Sequence, residues 1–205
     1  MIENLQIRKN KTHSIDRKHP WIFSGAIASE VEHLNDGDIV NVCDHKNNTI
    51  AKGHFQHATI SVRILTFLDE DIDQAFFDRK IGNAIKSRRK QQLFREDNNI
   101  CRLVHGEGDG LPGLIIDFYN GVAVIQCHSI GMYTSIELIS NALKAWLKKE
   151  LIAVYSKSSD TLPERVNPLD KYLYGTCKTP HIAMENGVKI NIDWVTGQKT
   201  GFFID

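Results

Sequence analysis

Cysteine is scarce: Cys43, Cys101, Cys127 and Cys177 are the four in 205 residues, and no two form a Cys-x-x-Cys pair. That spacing indicates no thiolate metal site, redox motif or disulfide scaffold. An excess of one charge is also missing, since 25 Lys and Arg balance 25 Asp and Glu. A polyanionic partner must therefore be held by a local patch. No apolar run approaches the ~18 residues of a membrane span, and the opening MIENLQIRKNK lacks the apolar core of a signal peptide. These absences argue against a membrane partner and for a cytoplasmic setting. There is no internal repeat and no low-complexity tract. What remains, 41% hydrophobic and 24% charged residues, is the composition of a folded chain. Its length suits one large domain or two small ones at roughly 100–200 residues each.

The first third reads as short strands broken by turns: LQIRK, then IVNVCD after Asp36-Gly37, then TIAKGHF and TISVRILTF. This spacing predicts a small β-barrel. Pro20, Trp21, Ile22 and Phe23 fall between the first strands. Trp21 and Phe23 read as barrel packing, with base stacking as the alternative.

From Asp73 the period becomes helical. Phe77, Ile81, Ala84 and Ile85 share one face, and Arg79, Lys86 and Lys90 lie opposite. That basic stripe is either a solvated face or a phosphate contact. Arg88 falls on the apolar face, where a guanidinium needs a carboxylate. Next, LIIDFY and VAVIQCH are joined by Asn120-Gly121, a hairpin signal. Met132, Ile136, Ile139, Leu143, Trp146 and Leu147 predict a second amphipathic helix, with Glu137, Lys144 and Lys148 outside. A strand AVYSKS, a proline-containing loop and a hairpin around Asn186-Gly187 carry the chain to VTGQKTGFFID.

Candidate chemistry is thin. Gly106, Gly108 and Gly110 spell G-x-G-x-G, but Leu111-Pro112-Gly113 leads into a strand rather than the helix on which phosphate binding depends. The structural reading is a sharp turn whose Glu107 and Asp109 satisfy Arg88. His54 and His57 form His-x-x-His, yet extended backbone puts them on opposite faces without an acidic third ligand, so they read as surface or RNA-facing histidines and no metal site is assigned. Thr176-Cys177 resembles the Thr-Cys pair of some cytosine-C5 methyltransferases, but with no cofactor fold before it the likeness reads as coincidence. Cys101 and Cys127 sit in apolar strands, the usual place of inert thiols.

RKHPWIFSGAI, GDIVNVCD, AKGHF and VRIL together resemble the N-terminal PUA domain of S-adenosylmethionine-dependent RNA methyltransferases of the large-subunit rRNA cytosine-C5 type. CRLVHGEGDGLPGLIIDFY resembles the central α/β domain of that family, and ENGVKINIDWVTGQKTGFFID the opening of its methyltransferase domain. The resemblance implies an α+β chain: a PUA-like RNA-binding barrel over 1–70, a connecting helix and a small EEHEE-like α/β domain over 71–180, and over 181–205 the opening hairpin of a Rossmann-like domain. The cofactor loop and nucleophilic cysteine of that domain have no counterpart here, which reads as an N-terminal piece. It implies rRNA processing, with S-adenosylmethionine used by the longer protein and none expected on this piece. Structured RNA, in particular large-subunit rRNA, is the implied partner, and a homodimer stays open. A freestanding PUA-type RNA-binding module without catalysis is the competing reading, and a small hydrolase using the histidines a third.

Residues 1–20 agree with an RNA role: Arg8, Lys9, Lys11, Arg17 and Lys18 face only Glu3 and Asp16. These five, with Arg79, Lys86 and Lys90, are the candidate RNA-binding residues; none in the chain is assigned a catalytic role. By the resemblance, Gln198, Lys199 and Thr200 border the cofactor and substrate cleft of the longer protein. The tail itself, with Phe202, Phe203 and Ile204 too apolar for water, is expected to be mobile or packed on a neighbouring molecule.

Overall fold

The computed structural model describes residues 2–202 and 204, the side chain of Ser14 apart. Five strands build the N-terminal barrel: β1 (Glu3–Gln6), β2 (Trp21–Phe23), β3 (Ile39–Cys43), β4 (Thr49–Phe55) and β5 (Ile60–Thr66), in the order β1-β3-β4-β5-β2. β1 lies parallel to β3 and the other pairs are antiparallel. Alternation sets the inner face, with Val40 and Val42 buried and Ile39 and Asn41 turned outward. Leu5, Ile7, Ile22, Phe55, Val62 and Ile64 complete that core. A bridge from Ile7 to Ile27 brings the end of β1 to residues that follow β2, so the sheet curls round its core. Trp21–Phe23 is thus a strand, not a connection between strands, and its Trp21 and Ile22 pair with Arg63 and Val62 of β5. Its ladder is three residues long and closes across about forty residues of chain, which leaves little local signal.

The second region opens with α2 (Gln74–Lys90), whose N-terminus is capped by the Asp73 carboxylate accepting from the Phe76 N–H at 2.9 Å; the single turn α1 (His13–Asp16) belongs to the barrel. A second five-stranded sheet follows, β6 (Ile100–His105), β7 (Leu114–Tyr119), β8 (Val122–Cys127), β9 (Ala153–Ser156) and β10 (Lys171–Tyr174), in the order β10-β9-β8-β7-β6. Only β8 and β9 are parallel, and the crossover between them carries α3 (Ile130–Thr134) and α4 (Ile136–Leu147). The single helix expected over 132–147 is therefore two. The Ser135 backbone leaves the helical region between them, at φ −89° and ψ 6°. β10 lies within the proline-containing loop that the sequence predicts; it is a short, largely exposed edge strand without an apolar alternation to mark it.

Both faces of the second sheet are covered, which is why LIIDFY and VAVIQC read as nearly unbroken apolar runs. Leu114, Ile116, Phe118, Ala123 and Ile125 pack with Phe77, Ile81, Ile85, Ile139 and Leu143 of the helices. The hairpin β11 (His181–Glu185) and β12 (Val188–Ile192) lies against the other face. There Ala183, Ile192 and Trp194 bury against Tyr119, Val122, Val124, Ala153 and Tyr155. Both Asn-Gly turns have φ > 0 at each residue, the geometry of a two-residue hairpin. Among the described residues no helix is long and apolar enough to cross a membrane.

The two regions share a seam. Gly131 of α3 presses on the His54 ring so closely that a Cβ there would lie 2.2 Å from its Cγ. Arg165 reaches Asp36 at 2.6 Å, and the Trp21 indole N–H donates to Glu107 at 2.9 Å.

Candidate functional site

The five N-terminal cations are exposed, on β1's end and the turns around α1. Arg8 donates from Nε to the Ile27 carbonyl at 3.0 Å. No carboxylate among the described residues pairs with any of the five. Beside them a groove of about 290 Å³ is lined by Lys11, Ile15, Trp21, Ile22, Phe23, Gly25 and Ala26. Phe23, read as barrel packing, is 45% exposed on this groove, and Trp21 is half-buried. Apolar rings beside unpaired cations are the components of a single-stranded nucleic-acid surface.

The stripe on α2 is built differently. Arg79 is ion-paired with Glu70, and the Lys86 ammonium sits 4.7 Å from the centroid of Trp146. Arg89, beside them, pairs with Glu150 at 2.9 Å. Lys90 is exposed at the helix end without an ion pair among the described residues.

Arg88, on the apolar face, forms a fork to Asp109, with Nη1 to Oδ1 at 2.6 Å and Nη2 to Oδ2 at 2.7 Å; its Nε donates to the Arg102 carbonyl at 3.0 Å. Asp109 also accepts from the His105 N–H. Glu107 does not join this pair and faces the barrel instead, accepting from Trp21. The glycine-rich segment itself is a 3₁₀ turn over Gly106–Asp109, closed by Gly110 in the left-handed region and followed by β7. No helix opens from it, and its Asp109 carboxylate is already engaged, so the turn does not fit a nucleotide cofactor.

Between this turn and the barrel lies a cleft of about 320 Å³ lined by Trp21, Arg63, Glu107, Gly113, Leu114 and His128, among others. Arg63 was not singled out in the sequence. Its one signal is a guanidinium at the centre of the apolar strand ISVRILT. The histidine expectation changes as well. His57 is exposed, with its ring nitrogen Nε2 at 2.9 Å from the Leu34 carbonyl, whereas His54 is buried in the seam, Nε2 3.4 Å from the Ser135 hydroxyl. Burial, and secondarily the Arg63 charge, brings the His54 pKa down to about 4. Its neighbour is Gly131, which lies nearly eighty residues away in sequence, so local spacing carries no sign of it.

Three cysteines are buried, and burial pushes the Cys101 and Cys127 thiols up to about 12. Cys177 lies with its sulfur 3.4 Å from His181 Nδ1, but burial raises its pKa too, opposite to what a thiolate nucleophile needs. No cluster of three or more potential ligands that could hold a metal occurs among the described residues.

The tail is docked on its own chain, contrary to expectation. Thr200 is buried, its hydroxyl donating to Asp117 Oδ2 at 2.6 Å and lying 2.9 Å from the Tyr119 hydroxyl, which in turn donates to the Phe202 carbonyl. Asp117 is fully buried and pairs with Arg102 at 2.9 Å. Lys157, buried beneath the same segment, donates to the carbonyls of Trp194 and Gly197, both at 2.6 Å. Gln198 and Lys199 are exposed beside it. Phe203, named with Phe202 and Ile204, lies outside the described residues.

A PUA-like barrel beside a small α/β unit is the class this geometry defines, and residues 5–67 match the family of PUA-like domains. Over its length the chain is homologous to ribosomal RNA large subunit methyltransferase I. It is 36% identical to the protein of that name from Pseudoalteromonas atlantica over 207 residues, covering 100% of this chain and 52% of the relative. The protein of the same name from Shigella dysenteriae serotype 1 is 32% identical over 211 residues, with 100% and 52% covered. The chain thus spans about half the length of the curated relatives it matches. Among solved structures, a candidate SAM-dependent methyltransferase from Streptococcus mutans superposes with a TM-score of 0.75 at 17% identity, covering 94% of this chain and 48% of that one. A candidate methyltransferase complexed with SAH gives 0.76 at 16% identity, with 94% and 48% covered. At these identities the structural likeness speaks for the fold.

Proposed function

We propose that this chain is the RNA-recognition and positioning part of an S-adenosylmethionine-dependent rRNA methyltransferase of the cytosine-C5 type, acting in the cytoplasm. In this reading residues 1–70 hold structured RNA, 71–180 set its position, and 181–205 lead toward a transfer site that these residues do not themselves supply. The observation that carries it is the barrel surface: five exposed cations without a carboxylate partner among the described residues, one of which, Lys11, lines a groove that carries Phe23 and Trp21. The names of the relatives support the substrate class. In this reading Gln198, Lys199 and Thr200 border the cofactor and substrate cleft, the first two from exposed positions and Thr200 from a buried one.

Roughly 3–5 phosphate contacts give weak, salt-sensitive binding. Titration of a structured large-subunit rRNA fragment at several salt concentrations is expected to give a log–log slope of about −3 to −4. A slope near zero would remove the RNA reading. In protein of the relatives' length, Lys199→Ala is expected to lower methyl transfer without unfolding the barrel; full activity would strike Lys199 from the site.

A further inference from the structure

Arg63 is the unmatched cation of the seam. Arg88 and Arg102 have carboxylates at 2.6 Å and 2.9 Å, whereas the half-buried Arg63 guanidinium has neither a hydrogen bond nor an ion pair within the described residues. Glu107 is near enough to favour its charge, yet burial still lowers its pKa. Withdrawing a cation from water without an acceptor is unfavourable. Here the cation lines an open cleft, so an acceptor brought from outside would complete it.

The rest of the cleft describes that acceptor. Leu114 gives it an apolar wall and Trp21 an aromatic one. Glu107 uses Oε1 for the Trp21 indole, which leaves its second oxygen to accept a further N–H. A carboxylate beside a guanidinium disfavours a simple anion and suits an edge that carries both donors and acceptors, as a nucleobase does. Trp21 also lines the barrel groove with Lys11 and Phe23, so the cleft adjoins the basic surface. At about 320 Å³ it is at the small end of the ~300–1,000 Å³ of ligand clefts.

We propose that this cleft receives one unpaired nucleotide of the bound RNA, its base against Trp21 and Leu114 and its acceptor atoms on Arg63. The proposal rests on the RNA reading above and adds to it a place where a base leaves the stack. Within a duplex, base faces are covered and base edges sit in grooves, so only an unpaired nucleotide can enter.

Fluorescence anisotropy with two labelled RNAs tests it: a hairpin with one bulged nucleotide and a fully paired hairpin of the same length. A base stacked on an aromatic ring strengthens binding, so wild-type protein is expected to favour the bulged RNA by about tenfold. Arg63→Met, which keeps the aliphatic stem, should abolish that preference while leaving the paired RNA within about twofold; Trp21→Ala should abolish the preference as well. Arg63→Met should also melt no lower than wild type, since it loses no internal bond. Should Trp21→Ala not fold, Trp21→Leu serves, retaining apolar bulk without the ring. Retention of the bulge preference in Arg63→Met overturns the proposal, as does a lowered midpoint with the preference intact. Wild-type protein that binds both RNAs equally sinks the cleft and spares the RNA reading; binding to neither removes both.

Discussion

The barrel and helix α2 carry cations in similar local density and use them in opposite ways. On α2, Arg79 and Arg89 have carboxylates, Lys86 has the Trp146 ring, and Arg88 is forked to Asp109 beneath the helix. On the barrel, Arg8, Lys9, Lys11, Arg17 and Lys18 lack such partners among the described residues, and Lys11 lines a groove with an exposed ring. A charge with a fixed partner holds the fold, and its field is largely cancelled at a distance. A charge without one keeps its field for something outside. The lesson is that charge count locates neither kind, and pairing separates them.

The strongest way to break this distinction is Arg88→Ala. Its side chain is 13% exposed and that of Asp109 12%, so deletion leaves a buried carboxylate unpaired at a cost of about 3–5 kcal/mol. Chemical denaturation should show this as a large fall in midpoint, and a loss below about 1 kcal/mol would place Arg88 with the surface set.

The seam makes the next prediction. His54 titrates near 4 when folded and near ~6.5 when unfolded, so between those values the unfolded chain binds the extra proton. Stability therefore falls as pH drops from about 7 toward 4, by roughly 2–4 kcal/mol, and is fully present above 6.5. His54→Gln should flatten the denaturation midpoint over that window; an unchanged pH slope would return the effect to the carboxylates, which titrate lower.

Thr200→Val is smaller. It removes a bond to fully buried Asp117 and is expected to lose about 1–3 kcal/mol, read as faster amide exchange across the tail than across β7. Equal exchange in mutant and wild type would mean that apolar contacts alone hold the segment.

Smallest in free energy, and most direct for the comparison, are charge reversals read by salt dependence. Lys18→Glu should reduce the slope of log binding against log salt by about 1 or more, while Arg79→Ala should leave it alone and affect only stability. Lys90, which among the described residues has neither an ion pair nor a ring contact, sharpens the boundary: if Lys90→Glu also flattens the slope, the RNA path extends along the helix end.

What could be read from the sequence follows the range of the forces involved. The hairpins declare themselves through Asn120-Gly121 and Asn186-Gly187, because a two-residue turn is a local matter. Helix α2 declares itself through apolar period, and Arg88 through its conflict with that period. The basic cluster of the barrel lies within twenty consecutive residues, so the sequence exposes it directly. His54, Arg63 and Thr200 owe their settings to Gly131, to the turn at Glu107 and to Asp117, partners far along the chain. Asp117 inside LIIDFY and Lys157 after AVYS carry no local mark of their role. Only the stacking of a third layer on the sheet makes them anchors for the tail.

Those anchors also set an order of events in time. The Lys157 ammonium closes loops of 37 and 40 residues onto the Trp194 and Gly197 carbonyls, and Thr200 closes one of 83 onto Asp117. Each presupposes the sheet that holds Asp117 and Lys157 in place, and long loops close slowly against chain entropy. Docking of residues 193–202 is accordingly expected as a late phase of refolding, after the sheet has formed. Pulse-labelled hydrogen exchange should show β7 and β8 protected before Gly197 and Thr200, and simultaneous protection would make the last segment part of the nucleus.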